Sequence, residues 1–347
     1  MLRVLVQNRA DSETCPGGDT VQMEWTVRFL RERGYDVCLS FDSDLDLSGF
    51  DVVHLFNLTR PIETLAQAEN ARRQSKPMVL SSVYWDLASA VPWHAHPFPR
   101  NWYHLIRPRG PRSFALRGMQ KMILQQAEFV FPNSEAEKAH LLDRFYGLSS
   151  ERLRVVKNGV APASAGSVVS NPLPLCRGAF VCAGAIGPRK NQLNLVRAFS
   201  RLPDERLCVI GQAAAGCAAY DRAVRRVAGA NVSFHGTLPH AEMGAVLREA
   251  RALVQPSYIE TPGLSAMEAA AAGTPIVVAD VGPVREYFGA LAHYCDPSSP
   301  AGIAAACRAA IVGPRPDGAA FAEAFDWMGV LEPMGGAYAE LEARIPA

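Results

Sequence analysis

Between Leu253 and Asp280 the chain reads LVQPSYIETPGLSAMEAAAAGTPIVVAD, and this stretch restricts the fold more than any other. Ala252 to Val254 is a short apolar run bounded by Pro256 and Ser257, the pattern of a buried strand ending in a loop. That loop carries Glu260. Thr261 is a good N-cap and Pro262 is tolerated in a first turn, so the residues predict a helix starting near Gly263. Leu264, Met267 and the alanines after Glu268 supply helix propensity, and Gly273 with Pro275 stops it. Ile276 to Ala279 is the next buried strand. Strand, loop, helix and strand in this order make a unit of a parallel α/β sheet.

The start of that helix has a chemical use. Amides around Gly263, Leu264 and Ser265 have no intrahelical partner, and such a terminus holds a phosphate without any side chain. Gly263 has no Cβ, so a ligand can approach its backbone closely. Glu260 precedes the helix and Glu268 lies on it. Two carboxylates beside a diphosphate repel it unless they bind something else, and sugar hydroxyls are their natural partners.

The stretch resembles the donor-binding signature of the retaining glycosyltransferases of family 4, P-S-x-x-E-x-x-G-L-x-x-x-E-A-x-x-x-G-x-P. Pro256, Ser257, Glu260, Gly263, Leu264, Glu268, Ala269, Gly273 and Pro275 stand in place. The resemblance implies the GT-B fold: two Rossmann-like domains with parallel sheets facing a central cleft, and a C-terminal helix crossing back to the first domain. It implies a nucleotide-sugar donor bound mainly by the second domain, with Glu260 on the sugar, Glu268 on the ribose, and Lys190, Arg189 and the amides at Gly263 and Leu264 on the leaving diphosphate. Gly236 and Leu238 match positions that line the nucleotide base, as does Gly211.

The rest of the chain fits this plan. Arg3 to Gln7 is a first strand, and the polar loop after it carries Gly17 and Gly18 at a helix start, the first unit of a nucleotide-type fold. In the family a G-G here admits the donor diphosphate and the acceptor to the loop. Strands follow at Tyr35 to Leu39, Asp51 to Phe56, Met78 to Val83 and Phe129 to Pro132, with helices expected between them. Residues 161–175 (APASAGSVVSNPLPL) are rich in proline, serine and small residues and read as a linker. The expected division is therefore 1–160, with a helix over 327–347 returning to it, then the linker, then 176–326. In the second domain GAIGPRKN places Arg189 and Lys190 at the carboxyl end of a strand, where open α/β sheets bind ligands.

Two positions depart from the family pattern. The arginine of its G-R-L falls on Ala185, while Lys190 matches the lysine that follows. The histidine of a His-Asp pair after the fourth strand is replaced by Trp85, before Asp86. Asp86 is retained as a catalytic candidate with Glu260 and Lys190. A tryptophan there would leave a carbon 6 hydroxyl poorly paired, which favours a 6-deoxy sugar or a pentose over plain glucose.

Between Asp86 and Glu128 there is no acidic residue. Arg100, Arg107, Arg109 and Arg112 alternate there with aromatics, a face suited to an anionic acceptor or a membrane surface over 100–121. Composition excludes little else. The 347 residues are 49% hydrophobic and 20% charged with a net charge of +1, so no nucleic-acid partner is expected. No apolar run is long enough to span a bilayer, and the N-terminus reads as a strand. The expected location is cytoplasmic, with peripheral contact at the inner face of the membrane.

The eight cysteines show no C-x-x-C pairing and read as reduced thiols in apolar surroundings, with no metal and no cofactor expected. The expected function is retaining sugar transfer from a nucleotide-sugar to a glycan, lipid-linked or small-molecule acceptor, in polysaccharide or glycoconjugate synthesis. The alternatives are a nucleotide-sugar epimerase or phosphorylase of the same architecture, and a catalytically silent paralogue that binds a nucleotide-sugar or a partner as a scaffold.

Overall fold

The structure is a computed structural model that describes residues 2–14, 16–86, 111–161 and 170–345. Arg100, Arg107 and Arg109 lie outside the described residues, as do the side chain of Arg112 and the middle of the expected linker. The described residues divide into two compact units. The first holds 2–86, 111–159 and 327–345, and the second holds 160–326.

The first unit is built on strands β1 (Arg3–Gln7), β2 (Asp36–Leu39), β3 (Val52–Phe56), β4 (Met78–Ser81) and β5 (Phe129–Phe131), all parallel, in the order β2-β1-β3-β4-β5. Strands β3 and β4, and the edge strand β5, are buried at every residue, as expected where helices cover both faces of a parallel sheet. Helices Gly18–Glu32, Pro61–Arg73, Pro111–Gln126 and Glu135–Arg144 supply most of the cover.

Two expectations fail in this unit. No helix joins β2 to β3. Residues 40–51 instead form turns in which Asp42 Oδ1 accepts from the Asp44 amide at 2.9 Å and Asp46 Oδ1 from the Ser48 amide at 3.0 Å. Aspartate side chains that capture nearby amides compete with helix formation, and they prevail here. The strand expected to reach Val83 stops at Ser81, and Val83 takes a positive φ of 42°.

The C-terminal segment belongs to the first unit, as the resemblance implied. Helices Trp327–Val330 and Glu332–Glu342 pack there. Trp327 stacks on Trp25 with ring centroids 5.8 Å apart, and the Tyr338 hydroxyl lies 2.9 Å from Nδ1 of His54 in β3.

The second unit carries β6 (Phe180–Ala183), β7 (Leu207–Ile210), β8 (Val232–His235), β9 (Ala252–Gln255), β10 (Ile276–Ala279) and β11 (Ala292–Cys295). They form a parallel sheet in the order β11-β10-β9-β6-β7-β8. The chain moves outward from β6 to β8, then returns to the other side of β6 with β9. The order thus reverses between β6 and β9, and open α/β sheets bind ligands outside the carboxyl ends of the strands at such a switch point. The two loops that leave this point are the ones the sequence singled out, 184–191 after β6 and 256–263 after β9. Two apolar clusters pack in this unit. One includes Phe180, Phe199, Val209 and Val254, the other Val181, Cys208, Met267 and Phe288.

Candidate functional site

In the loop after β9 the chain must turn sharply into the helix Leu264–Ala271. Gly263 is the residue at the helix start, with φ of 97°, and the preceding Thr261–Pro262 peptide is cis. The cap is therefore Gly263 and not Thr261. A left-handed φ and a close neighbour both favour glycine there: a Cβ on Gly263 would lie 3.4 Å from Oε1 of Gln255 and from Oε2 of Glu260.

Glu260 is buried, and its Oε1 takes two strong contacts, from Lys190 Nζ at 2.6 Å and from the Ser257 hydroxyl at 2.6 Å. Burial pushes the Glu260 carboxyl up, but the charges of Lys190 and Arg189 and these hydrogen bonds prevail and hold it below its ordinary value. Its other oxygen faces Gly263 and accepts no hydrogen bond among the described residues.

Lys190 ends a 3-10 turn, Pro188–Lys190, and Asn191 follows with a φ of 59°. Asn191 is buried and its amide clamps three segments: Nδ2 donates to Pro256 O at 2.9 Å and to Pro297 O at 2.6 Å. The Tyr258 amide donates to Arg189 O at 2.9 Å. The loops after β6 and β9 are thereby fixed to one another, which aims Lys190 at Glu260. Gly211, at the end of β7, lets a third loop pass, since a Cβ there would come within 2.2 Å of Gly184 O. Arg189 itself is exposed and makes no side-chain bond among the described residues.

Gln255, the last residue of β9, was not singled out by sequence. Its Oε1 accepts from the Ser265 hydroxyl at 3.2 Å, while Nε2 is buried with no partner among the described residues. A buried amide donor beside a helix N-terminus is well suited to an anionic oxygen.

Glu268 lies one turn into the helix, about a quarter exposed. Burial raises its carboxyl above the ordinary value, opposed by His240, whose Nδ1 is 3.7 Å from Oε1. His240 is a second residue that sequence reasoning missed. Gly236 is exposed and Leu238 half-buried in the loop between β8 and the helix His240–Glu249.

The first unit holds the remaining candidates. Gly17 precedes the helix Gly18–Glu32 in extended backbone, beside a buried cluster in which Asp19 accepts from Arg9 Nε at 2.8 Å and Asn57 Nδ2 at 3.0 Å. Burial pushes the Asp19 carboxyl up, and Arg9 overrides it, holding it below its ordinary value. Asp86 is buried and pairs with Arg144 at 2.5 Å. Trp85 is half-buried and stacks on His140 with centroids 4.7 Å apart, so a histidine not seen in the sequence pattern lies against the tryptophan that replaces the expected one.

Comparison with known proteins agrees with the topology. Residues 170–323 match the family model described as glycosyl transferases group 1. Glycogen synthase of Mycobacterium tuberculosis (strain CDC 1551 / Oshkosh) is 26% identical over 248 residues, covering 69% of this chain and 58% of that protein. D-inositol 3-phosphate glycosyltransferase of Mycobacterium bovis (strain BCG / Pasteur 1173P2) is 29% identical over 180 residues, 47% of this chain and 36% of that one. The chain thus spans little more than half the length of the first of these relatives, and less of the second.

Among solved structures, sucrose-phosphate synthase from Thermosynechococcus elongatus superimposes with a TM-score of 0.75 at 17% identity, over 99% of this chain and 100% of that one. HepE of Anabaena in complex with UDP-glucose gives 0.75 at 14% identity, over 98% and 100%. These likenesses identify the fold as GT-B. The match to the glycosyl transferases group 1 family, over 170–323, lies in the second unit.

Proposed function

We propose that the chain transfers a sugar from a nucleotide-sugar to an acceptor hydroxyl, with retention at the anomeric carbon. The anomeric carbon–oxygen bond to the diphosphate breaks and a bond to the acceptor oxygen forms. The acceptor proton departs with the nucleoside diphosphate. The observation that carries this reading is the buried Lys190–Glu260 pair at 2.6 Å, set beside the helix start at Gly263 and at the switch point of the sheet.

Negative charge grows on the diphosphate as it leaves, and fixed donors aimed there lower the barrier. Lys190 has further N–H donors beyond the one on Glu260, and the amides at Gly263 and Leu264 and the Gln255 Nε2 add neutral donors. Lys190 also offsets the Glu260 charge, which removes the repulsion a lone carboxylate would exert on a diphosphate. Glu260 then keeps one oxygen for a sugar hydroxyl, and Glu268 serves the ribose. In this reading the cations and amides act without a metal, and the acceptor is a glycan, a lipid-linked sugar or a small molecule.

The structure of HepE with UDP-glucose makes that compound the reference donor. The test is a panel of nucleotide-sugars scored by thermal shift and by release of nucleoside diphosphate with mixed acceptors. One donor should both stabilise the protein and be consumed, with the anomeric configuration kept in the product. Stabilisation without turnover across the panel would favour a binding scaffold, and neither effect with any donor would sink the proposal.

A further inference from the structure

We propose that Cys176, Cys208 and His235 form a binding site for a thiophilic divalent cation of the zinc class, separate from the reaction site and acting to pin the edge of the second sheet. The three residues are 32 and 27 positions apart in sequence, yet their ligand atoms all lie within 4.8 Å of one another. Each comes from a different segment. Cys176 ends the 3-10 turn Pro174–Cys176, Cys208 is on β7 and His235 ends β8.

The placement follows from the register. Cys208 pairs with Ser233 and Ile210 with His235 across β7 and β8, so Cys208, Ser233 and His235 share one face. The Ser233 hydroxyl lies 3.0 Å from His235 Nε2 and donates to the Cys208 sulfur at 3.3 Å, which draws the imidazole back toward the thiol. The turn bearing Cys176 is held over the same face by Arg206, which donates to Leu175 O at 3.0 Å and Arg177 O at 2.7 Å, the carbonyls on either side of Cys176. The sulfur atoms of Cys176 and Cys208 lie within 4.8 Å of each other.

The chemistry suits a cation. Bond lengths of about 2.3 Å to sulfur and about 2.0 Å to nitrogen place tetrahedral ligands roughly 3.5–3.8 Å apart, so atoms that lie within 4.8 Å need a contraction of at most about 1.3 Å. Both thiols are buried in an apolar cluster, where a charged complex would be costly. Two thiolates and a neutral imidazole around a divalent ion have no net charge. Binding would release the two thiol protons. His235 is half-exposed on the edge strand, which gives the ion a way in, and Ser233 or a water can take the fourth position.

The ion would join the turn before β6 to β7 and to β8, which among the described residues pairs in the sheet with β7 alone. The peptide after His235 is Gly236, so the pinned strand leads straight into the loop that carries Gly236 and Leu238.

Addition of Co²⁺ to the reduced, chelator-stripped full chain is the test. The expected result is one ion per chain with an intense sulfur-to-cobalt charge-transfer band, displaced by Zn²⁺, and a higher melting temperature with Zn²⁺. Cys208→Ala should abolish the band. His235→Gln, on a half-exposed position where folding is safe, should weaken affinity by tenfold or more while the melting temperature of the stripped protein stays near wild type. A spectrum without the thiolate band, equal affinity in His235→Gln, or mass spectrometry showing Cys176 and Cys208 joined in a disulfide in the purified protein would each overturn the proposal. The wild-type spectrum decides even where Cys208→Ala fails to fold.

Discussion

Lys190 and Glu260 come from loops 70 positions apart and meet at 2.6 Å with little solvent around them. Removing one member of such a pair leaves an uncompensated buried charge, commonly at a cost of about 3–5 kcal/mol, so single variants lose stability as well as activity. Lys190→Ala and Glu260→Ala should each lower turnover by on the order of 100-fold, the usual loss when a donor aimed at developing charge is removed. The double variant separates the two effects. It should recover much of the stability lost by either single variant and none of the turnover. Melting temperatures and single-turnover rates measured on all three would settle this; recovery of activity in the double variant would show that the pair is only structural. Glu268→Ala should act differently, by weakening donor binding about tenfold through loss of a hydrogen-bonded carboxylate, with kcat little changed. Wild-type donor affinity in that variant would remove Glu268 from the site. The motif letters named these three residues. Gln255 and His240 escaped notice because an amide or imidazole acquires meaning only from what it faces, and their neighbours come from other segments.

At the scale of elements, the strands were legible because apolar runs such as RVLVQ and VVHLF are buried on parallel strands, and the helix ends because glycine and proline mark them. The segment between β2 and β3 was not, since Asp42 and Asp46 turn the backbone through local bonds that no hydrophobic period records. The cation site proposed at Cys176, Cys208 and His235 was equally hidden: its ligands sit on separate segments brought together by register, so no C-x-x-C spacing betrays it. His54 in β3 shows a further consequence of burial. Its ring lies between the Tyr338 hydroxyl and the Ser81 hydroxyl, each at 2.9 Å, and burial lowers its pKa from 6.5 to about 3. The folded form keeps His54 neutral while the unfolded chain takes up a proton below pH 6.5, so the first unit loses stability as pH falls from there toward 3. Above that window the imidazole is neutral in both states and contributes no slope. Urea unfolding between pH 7 and 4 should show this fall, and His54→Asn should be less stable at neutral pH but flatter over the same range. An unchanged slope in His54→Asn would assign the acid sensitivity to carboxylates such as Asp19, whose lowered pKa gives a fall of the same sign.

At the scale of the whole molecule, the two units have separate cores and separate sheets, and the chain contributes to the first unit twice, before 160 and after 326. Such proteins need not unfold in one step, so a single melting temperature is not defined in advance. The donor residues proposed here, Lys190, Glu260, Gly263 and Glu268, are all in the second unit, whereas Trp327, fully buried against Trp25, is in the first. Calorimetry can therefore address each unit through its own perturbation. A donor at 100 times its dissociation constant stabilises whatever it binds by about 2.7 kcal/mol. Trp327→Ala removes a large buried ring, at a cost of about 3–5 kcal/mol. The expected thermogram has two transitions, one raised by donor and unmoved by Trp327→Ala, the other lowered by Trp327→Ala and unmoved by donor. Deletion of 327–347 should lower the same transition as Trp327→Ala, and further, because it also removes Tyr338 from His54. If donor and Trp327→Ala shift one common transition in opposite directions, the units unfold as a single cooperative body and the division by cores has no thermodynamic meaning.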